Sequence, residues 1–328
     1  MKRIYPHTSS HGVAFNAARL SEACTLYRRM TEDDATICLT MAGALTPAGL
    51  GGVVIGLMEK GLVDFIISTG ANLYHDIHFA LDLPVYKGSP SVDDRELQRE
   101  GIVRIYDVFL PFDTLFETDR YVQENMDIEG RFSSAEIHHH LGKKLLENAK
   151  RPEYSILAAA AKFDVPIYCP SPGDSSIGMS IAYLKALGKH ISTDVEREVL
   201  ETAAIIYSST KSGVVVLGGG APKNFFMQTQ PMLSQILHLP ESGHDYFIQI
   251  TADAPHWGGL SGATASEAIS WNKIDAETED HVTIYGDCTI IAPLLFERMK
   301  RLKREHKRLY IKRGELMETL MKAMENST

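Results

Sequence analysis

The chain is 328 residues long, with 44% hydrophobic and 23% charged residues, proportions that are ordinary for a soluble globular protein. Its formal net charge of -9 argues against a general nucleic-acid binder, which usually carries a basic face. No apolar run approaches the roughly 20 residues that a membrane span requires, and the opening stretch MKRIYPHTSSHG lacks the apolar core of a secretory signal. We therefore expect a cytoplasmic protein that binds neither a membrane nor nucleic acid.

Six short runs, rich in apolar and β-branched residues, end abruptly in small or polar residues and predict the strands of the fold. Because each run is hydrophobic almost throughout, it is typical of a strand buried on both faces of a mainly parallel sheet. The runs are TICLTMAG (36–43), VDFIISTG (63–70), VPIYCPSPGD (165–174), SGVVVLGGG (212–220), DYFIQITAD (245–253) and HVTIYGD (281–287).

Helical patterns alternate with these strands. They are LGGVVIGLMEKG (50–61), SAEIHHHLGKKLLENAK (134–150), SILAAAAKFD (155–164) and TDVEREVLETAAIIYSS (193–209). The alternation predicts an α/β protein with a mainly parallel central sheet and helices on both faces. It runs from about residue 36 to 295 without a linker rich in Pro, Gly or Ser. We therefore predict a single large domain over residues 1–328, in which residues 85–114 form an elaborated connection.

The C-terminal part carries a run of basic residues, KRLKREHKRLYIKR (300–313). We interpret it as part of a basic helix over about residues 293–325, with Leu302, Leu309 and Ile311 in a buried stripe and the basic side chains in solvent. A contact with RNA or with a membrane is the alternative interpretation.

The segments that follow the six predicted strands are rich in Gly, Ser, Thr and Asp. In open α/β sheets, ligands bind beyond the carboxyl ends of the strands, where backbone N–H groups and helix N-termini are exposed. Small residues let a phosphate approach the backbone and aspartates can hold ribose hydroxyls, so the pattern favours a nucleotide or dinucleotide. The sequence contains neither GxGxxG nor a P-loop motif, and Gly218 to Gly220 could equally form a tight turn.

The stretch SEAISWNKID (266–275) places a lysine in an otherwise apolar run. If SEAISW is helical, Glu267 and Trp271 share one face and Lys273 lies near the helix end. A desolvated lysine is a nucleophile that forms imines, an indole attracts alkylammonium groups, and a carboxylate pairs with an amine. The combination suits a polyamine. The alternative is a solvated lysine at a helix end beside a tryptophan that belongs to the core.

Three motifs, LGGGAPKN, ITADAPHWGGLSGATASEAISWNKID and YGDCTIIAPLL, resemble the catalytic segments of the deoxyhypusine synthase family in order and spacing. The similarity extends through VDFIISTGANLYHD, RELQREGIVRI and PIYCPSPGDSSIG, and so covers most of the chain. The resemblance implies a Rossmann-like fold, tightly bound NAD, and a homotetramer with active sites at subunit interfaces.

The resemblance also implies the chemistry and the residues that carry it. In the family, NAD takes a hydride from a polyamine, a lysine captures the aminobutyl group as an imine, and an acceptor amine displaces that lysine before the hydride returns. Lys273 matches the catalytic lysine, and Glu267 and Trp271 match the substrate contacts. The expected cofactor residues are Asp174 and Asp287, which match NAD-contacting aspartates, and Ser68, Gly219, Thr251 and Gly258, which lie in segments that line the cofactor.

Four positions depart from the family's synthases. Two aspartates that hold the far amine of spermidine are replaced by Met179 and Leu260, a histidine by Asn224, which we expect to contact the substrate, and a glutamate by Tyr74. Since recognition of one substrate end has changed, we predict aminobutyl transfer between small amines, with putrescine as acceptor and homospermidine as product. The alternative is deoxyhypusine formation on a lysine of a translation factor. A hypothesis of another class is a catalytically inactive, NAD-binding regulatory protein.

Several histidines and other polar residues outside these motifs are further candidates for a functional role. Consecutive helical residues point about 100° apart, so His138, His139 and His140 cannot share one metal, and we expect a solvated or interface face. His75 and His78 could line the pocket. No metal is predicted, because the family's reaction needs none and the four cysteines form no CxxC pair. His256 and Trp257 lie in the loop expected beside the nicotinamide, although Trp257 could equally fill the subunit interface. Asp253 could be a helix cap or a ribose contact.

Overall fold

The computed structural model describes residues 14–327. Its strands are β1 (Thr36–Met41), β2 (Phe65–Ser68), β3 (Tyr86–Lys87), β4 (Ile102–Ile105), β5 (Val108–Pro111), β6 (Gly130–Phe132), β7 (Ile167–Tyr168), β8 (Ile191–Thr193), β9 (Ser212–Leu217), β10 (Tyr246–Thr251) and β11 (His281–Tyr285). Its helices are α1 (Phe15–Glu32), α2 (Gly51–Glu59), α3 (Gly70–Ala80), α4 (Asp94–Arg99), α5 (Phe112–Asn125), α6 (Ser134–Asn148), α7 (Ile156–Phe163), α8 (Ser176–Ala186), α9 (Val195–Tyr207), α10 (Gly220–Met227), α11 (Thr229–Pro231), α12 (Ala265–Ser270), α13 (Cys288–Met299) and α14 (Leu309–Ser327).

The central sheet has six strands in the order β11-β10-β9-β1-β2-β7, and every neighbouring pair is parallel. These are the six strands that the apolar runs predict. Every residue of β1, β2, β9 and β10 is buried, which explains why their sequences are hydrophobic almost throughout instead of alternating. The predicted α/β class with a mainly parallel sheet is confirmed.

Helices cover both faces of the sheet, as predicted. Side chains alternate along a strand, so Ile37 and Leu39 join one core cluster while Cys38 joins the other. The first cluster is completed by buried residues of α1, α2, α7 and α13, and the second by residues of α9, α10 and α14. Within residues 14–327, no helix is long and apolar enough to cross a membrane.

The predicted connection over residues 85–114 is a small sheet of its own. Strands β3, β5 and β4 pair antiparallel in that order, and α4 precedes β4. Strands β6 and β8 form a separate parallel pair. Because the six strands of the central sheet run in one direction, the loops after them meet at a single edge, where a ligand can contact several of them.

The predicted continuous helix over residues 293–325 is wrong. Helix α13 ends at Met299 and α14 begins at Leu309, and residues 302–308 between them belong to no helix or strand. The Arg304 N–H donates to the Lys60 carbonyl at 3.0 Å, and its guanidinium contacts the buried Asp64 carboxylate and the Gly61 carbonyl. These tertiary partners replace the helical hydrogen bonds. The predicted buried stripe is also incomplete, because Ile311 is exposed.

The histidine triplet does not form a solvated face. His138 is buried and its Nδ1 lies 2.8 Å from the Ile167 carbonyl oxygen, while His139 is buried and stacks on the Tyr310 ring at 3.4 Å. His140 is half-buried, with Nε2 at 2.8 Å from the Asn125 carbonyl oxygen. The three rings do point in different directions, since each contacts a different element.

Candidate functional site

The local backbone around α12 brings the SEAISWNKID residues together. The Thr264 hydroxyl caps the helix by accepting a hydrogen bond from the Glu267 N–H at 3.0 Å. At the other end, Asn272 adopts a left-handed conformation with φ of 53°, and the Lys273 N–H donates to the Ala268 carbonyl at 3.0 Å. This is a Schellman closure, which ends the helix sharply. Lys273 therefore follows immediately after the helix that carries Glu267, and both residues line one cavity.

A cavity of about 200 Å³ lies against this helix end. Its lining includes all four residues predicted to contact substrate, namely Lys273, Glu267, Trp271 and Asn224, together with Lys223. An amine, a carboxylate and an indole therefore converge on one space that can accept a short aliphatic amine. The helix ends at Ser270 with Trp271 as its C-cap residue, so SEAIS is helical and Lys273 follows shortly after the helix end.

Lys273 has the environment of a nucleophilic amine. Its side chain is half-buried, and Nζ lies 5.4 Å from the centroid of the Trp271 ring. Burial lowers the pKa of Lys273 because the charged form loses hydration, and the nearby Glu267 carboxylate partly opposes that shift. A lowered pKa increases the fraction of free amine at neutral pH, which is the form that attacks an imine carbon.

Lys223 is a second amine in the cavity, and the sequence reasoning missed it. It is only 5% exposed, and its Nζ contacts the Gln249 Oε1 at 3.1 Å and the carbonyl oxygens of Leu260 and Ala263 at 3.3 and 2.5 Å. Burial lowers the pKa of Lys223 to about 8. A sequence signal did exist, because Lys223 precedes the apolar Phe226 and Met227 by three and four residues and so shares their buried face of α10.

The predicted cofactor residues all lie at the carboxyl edge of the central sheet, at strand ends or in the loops that follow. Ser68 and Thr251 are the last residues of β2 and β10, and both are buried. Gly219 follows β9 and is packed so closely that a Cβ atom there would lie 2.5 Å from the Ser261 Cα. A glycine is therefore required for the Gly-rich loop to approach the segment that leads into α12.

The other three residues predicted to contact the cofactor are exposed at the same edge, where a ligand can reach them. Asp174 and Gly258 lie in loops, and a Cβ atom on Gly258 would meet nothing within 4 Å. Asp287 caps α13 by accepting a hydrogen bond from the Thr289 N–H at 2.7 Å. These groups suit a dinucleotide, because carboxylates can hold ribose hydroxyls, and exposed helix N-termini and an open glycine can accommodate phosphates. The residues at this edge therefore fit NAD.

The positions that depart from the family's synthases are dispersed. Leu260 lines the cavity and is 50% exposed, whereas Met179 lies on α8, is 63% exposed and does not line this cavity. Tyr74 is buried on α3, and its hydroxyl lies 2.8 Å from the Asp119 Oδ1. The chain therefore presents apolar side chains where the resemblance implies carboxylates.

His75 and His78 form a hydrogen-bonded chain instead of an open pocket wall. The His75 Nδ1 lies 3.0 Å from the His78 Nε2, and the His78 Nδ1 lies 2.6 Å from the Thr118 Oγ1. Burial lowers the pKa of His75 to about 4 and that of His78 to about 3, so both rings are neutral at pH 7. Among residues 14–327, no group of three or more metal-ligating side chains is present.

The remaining assignments concern the loop after β10. His256 and Trp257 lie in a short 3-10 turn and are both exposed. Asp253 is half-buried and its N–H donates to the Thr251 hydroxyl at 3.1 Å. The helix-cap interpretation of Asp253 is wrong for the turn that follows, whose N-cap residue is Ala254.

Known proteins that are similar to this chain carry the deoxyhypusine synthase name or a name derived from it. The family model for deoxyhypusine synthase matches residues 8–299. A deoxyhypusine synthase-like protein of Thermosynechococcus vestitus is 45% identical over 325 residues, covering 94% of this chain and 81% of that protein. A Methanosarcina mazei protein named "Probable deoxyhypusine synthase 2" is 37% identical over 297 residues, covering 88% of this chain and 85% of that protein.

A solved structure shares the fold. A candidate deoxyhypusine synthase of Entamoeba histolytica superposes with a TM-score of 0.60 at 15% identity, covering 90% of this chain and 91% of that one. Members of the deoxyhypusine synthase family are NAD-dependent aminobutyl transferases. From the family model and the two relatives at 45% and 37% identity, this chain belongs to the deoxyhypusine synthase family.

Proposed function

We propose that the chain transfers an aminobutyl group from a polyamine through an imine at Lys273. The observation that carries the proposal is the convergence of Lys273, Glu267 and Trp271 on one cavity. The family membership supports NAD-dependent aminobutyl transfer in general. Family membership does not assign roles to individual residues, and the roles of Lys273, Glu267 and Trp271 are therefore our proposal.

Each residue has a physical role in this proposal. The Glu267 carboxylate pairs with an ammonium group of the polyamine, and the Trp271 face holds its aliphatic and cationic parts. Asp174, Gly219 and Asp287 would hold NAD, which would supply the acceptor for a hydride from the carbon beside the secondary amine and, in reduced form, the donor that returns it. The Lys273 amine adds to the resulting imine carbon and the diamine leaves, so the aminobutyl group becomes an imine on Nζ. An acceptor amine then displaces Lys273.

The acceptor has two candidates. The names of the relatives support a protein lysine, and so deoxyhypusine formation on a translation factor, better than they support a small amine. A specific observation favours the second candidate, transfer to putrescine with homospermidine as product. Leu260 and Met179 are exposed apolar side chains at positions where the resemblance implies amine-binding aspartates. Loss of two charge-assisted hydrogen bonds, worth about 1.5 to 3 kcal/mol each, is enough to change which amine binds.

A single reaction distinguishes the candidates. Purified protein, NAD and spermidine labelled in its aminobutyl part are incubated with putrescine and the cognate translation factor together, and products are separated by mass. Label in the factor supports the first candidate and label in homospermidine supports the second. Label in neither supports the inactive NAD-binding protein and contradicts the proposal.

The matched control is Lys273→Arg, which keeps a positive charge and much of the side-chain volume but cannot form the imine. We expect this variant to retain NAD binding and to lose transfer. Transfer at the wild-type rate by Lys273→Arg would exclude Lys273 as the covalent carrier.

We also propose that the protein acts in the cytoplasm as a homotetramer with the active site at a subunit interface. Three large exposed side chains support this, because a neighbouring subunit would bury them. Leu260 and Trp271 line the cavity, and Trp257 lies in the turn before Leu260. Light scattering coupled to size exclusion measures the mass in solution. A monomer at micromolar concentration would contradict the proposal.

A further inference from the structure

The segment that connects β10 to α12 has little of its own to hold it in place. Residues 255–260 are exposed. Within the described residues 14–327, the backbone–backbone hydrogen bonds of residues 254–263 are all local, such as that from the Gly262 N–H to the Gly259 carbonyl at 3.0 Å. Exposed backbone with few buried apolar contacts opens readily. Because this segment leads directly into the helix that carries Glu267, the position of that side chain depends on ties from elsewhere in the fold.

Lys223, on α10, supplies two of these ties. Its Nζ donates to the carbonyl oxygens of Leu260 and Ala263 at 3.3 and 2.5 Å, and to the Gln249 Oε1 at 3.1 Å. An ammonium group has three N–H donors, and these three oxygens accept all of them. Lys223 therefore lines the cavity with its donors already engaged, and it holds the neighbouring backbone instead of a substrate.

Gln249 and Ser261 extend the same network to the glycine-rich loop after β9. The Gln249 Nε2 donates to the carbonyl oxygens of Gly218 and Ser261 at 2.9 and 2.8 Å, which fixes the amide so that its Oε1 faces Lys223. The Gly220 N–H donates to the Ser261 hydroxyl at 3.1 Å. The network thus joins the loop that is expected to contact the cofactor to the segment that leads into α12.

We infer that Lys223 is a positioning residue that fixes the cavity wall formed by Glu267 and Trp271 against the cofactor loop. The inference rests on the proposed function and deepens it, because these two side chains are the proposed polyamine contacts. Lys273 has an anchor of its own, since its carbonyl accepts a hydrogen bond from the His244 N–H at 3.0 Å. Loss of the Lys223 hydrogen bonds should therefore loosen the wall more than it displaces the nucleophile.

Hydrogen exchange followed by peptide mass measures the wall directly and needs neither substrate nor turnover. Wild-type protein is compared with Lys223→Met, whose side chain has nearly the same length but no N–H donor. We expect residues 254–272 to exchange about tenfold faster in the variant, because two hydrogen bonds that oppose local opening are lost. Peptides of the central sheet should exchange at the wild-type rate. A role in overall stability alone would instead accelerate the protected peptides of the whole chain together.

Two further variants make this test decisive. Lys211→Met is the matched control, because Lys211 lies directly before β9, pairs with Asp33 and is at the opposite end of that strand from the glycine-rich loop. It should leave the exchange of residues 254–272 unchanged. Lys223→Leu, which also lacks a donor, replaces Lys223→Met if that variant does not fold. Wild-type exchange of residues 254–272 in either folded Lys223 variant would overturn the inference. Failure of both to fold would overturn it too, since Lys223 would then stabilise the whole chain instead of this segment.

Steady-state kinetics test the link to the polyamine. In Lys223→Met we expect the KM for spermidine to rise about tenfold and kcat to change by less than about threefold, because binding contacts loosen while Lys273 stays anchored. Faster exchange with an unchanged KM would overturn the role of Lys223 in polyamine binding.

The exchange result is independent of the proposed function. If exchange is faster as expected but the wild-type protein transfers no aminobutyl group, Lys223 fixes the wall and the transferase assignment fails. If the wild-type protein transfers the group and exchange does not change, the transferase assignment stands and Lys223 has no such role.

Discussion

The backbone N–H of His244 donates a hydrogen bond to the carbonyl of Lys273 at 3.0 Å, and the Asp275 N–H returns one to the carbonyl of His244 at 3.1 Å. This short bridge joins the segment after α12 to the segment that leads into β10. The backbone of Lys273 is therefore fixed to the central sheet, although the helix before it has only six residues. A reactive amine that follows a short helix needs such an anchor to keep a fixed position relative to a cofactor at the sheet edge.

Gly243 makes this bridge possible, so Gly243→Ala should weaken both stability and activity. Its φ is 99°, and a Cβ atom there would lie 2.5 Å from the Ile274 carbonyl carbon. We expect the free energy of unfolding to fall by at least about 2 kcal/mol, since backbone strain and a clash add. Urea denaturation measures the change. The matched control is Gly188→Ala, whose φ of 90° gives similar strain but whose Cβ meets nothing within 4 Å. Equal losses in the two variants would contradict this role.

Glu267→Gln should weaken binding of the polyamine. The substitution keeps the shape of the side chain but replaces a charge-assisted hydrogen bond with a neutral one, at a cost of about 1.5 kcal/mol or more. We expect the KM for spermidine to rise about tenfold. Steady-state kinetics at saturating NAD measure it. Glu277→Gln, at an exposed position outside the cavity, is the control and should behave as wild type.

Arg304→Ala should destabilise the fold strongly. The Arg304 and Asp64 side chains are 8% and 1% exposed, and removal of the arginine leaves a buried carboxylate without its cation. Such a loss costs about 3 to 5 kcal/mol. The exposed neighbour Lys303 provides the control, because Lys303→Ala removes a positive charge without breaking a buried pair. Urea midpoints that fall by the same amount in both variants would show that the segment between α13 and α14 is held in another way.

The contacts of a segment in the fold explain whether its structure could be predicted from sequence. The six strands of the central sheet were predictable because burial on both faces imposes continuous hydrophobicity, as in SGVVVLGGG and TICLTMAG. The break between α13 and α14 was not. A run of lysines and arginines satisfies a helical pattern equally well, and distant partners such as Asp64 and Lys60 hold it in a non-helical conformation.

The candidate site also contains residues that the sequence could predict and one residue, Lys223, that it did not. Glu267, Trp271 and Lys273 are close in sequence, so local helical geometry already places them together. Lys223 is 50 positions before Lys273 in the chain. Its ammonium group is held in the cavity by oxygens of Gln249, Leu260 and Ala263, which only the folded chain brings near. Long-range polar contacts of this kind leave no periodic signal.

Stability should fall as the pH decreases below about 6.5, and His244 should account for part of the slope. Burial lowers the pKa of His244 to about 3, whereas an unfolded histidine has a pKa of about 6.5. The unfolded state therefore binds more protons as the pH falls through this window. The stabilising effect of the neutral ring is complete above pH 6.5 and is lost progressively toward pH 3, at up to about 1.4 kcal/mol per pH unit.

The measurement is urea unfolding at pH 7, 6 and 5 for wild type and His244→Gln. Burial raises the pKa of Asp76 to about 6 and that of Glu198 to about 7, and these carboxyls give slopes of opposite sign. Comparison of the two proteins at each pH cancels those contributions. We expect a shallower acid slope in the variant, and identical slopes would show that His244 does not take up a proton on unfolding.

The covalent role of Lys273 can be tested by trapping. Protein incubated with NAD and spermidine is reduced with borohydride, digested, and examined by peptide mass. We predict an added aminobutyl group on Lys273, absent when NAD is omitted and absent in Lys273→Arg. An adduct on a different lysine, or no adduct under conditions where the protein turns over, would contradict the account.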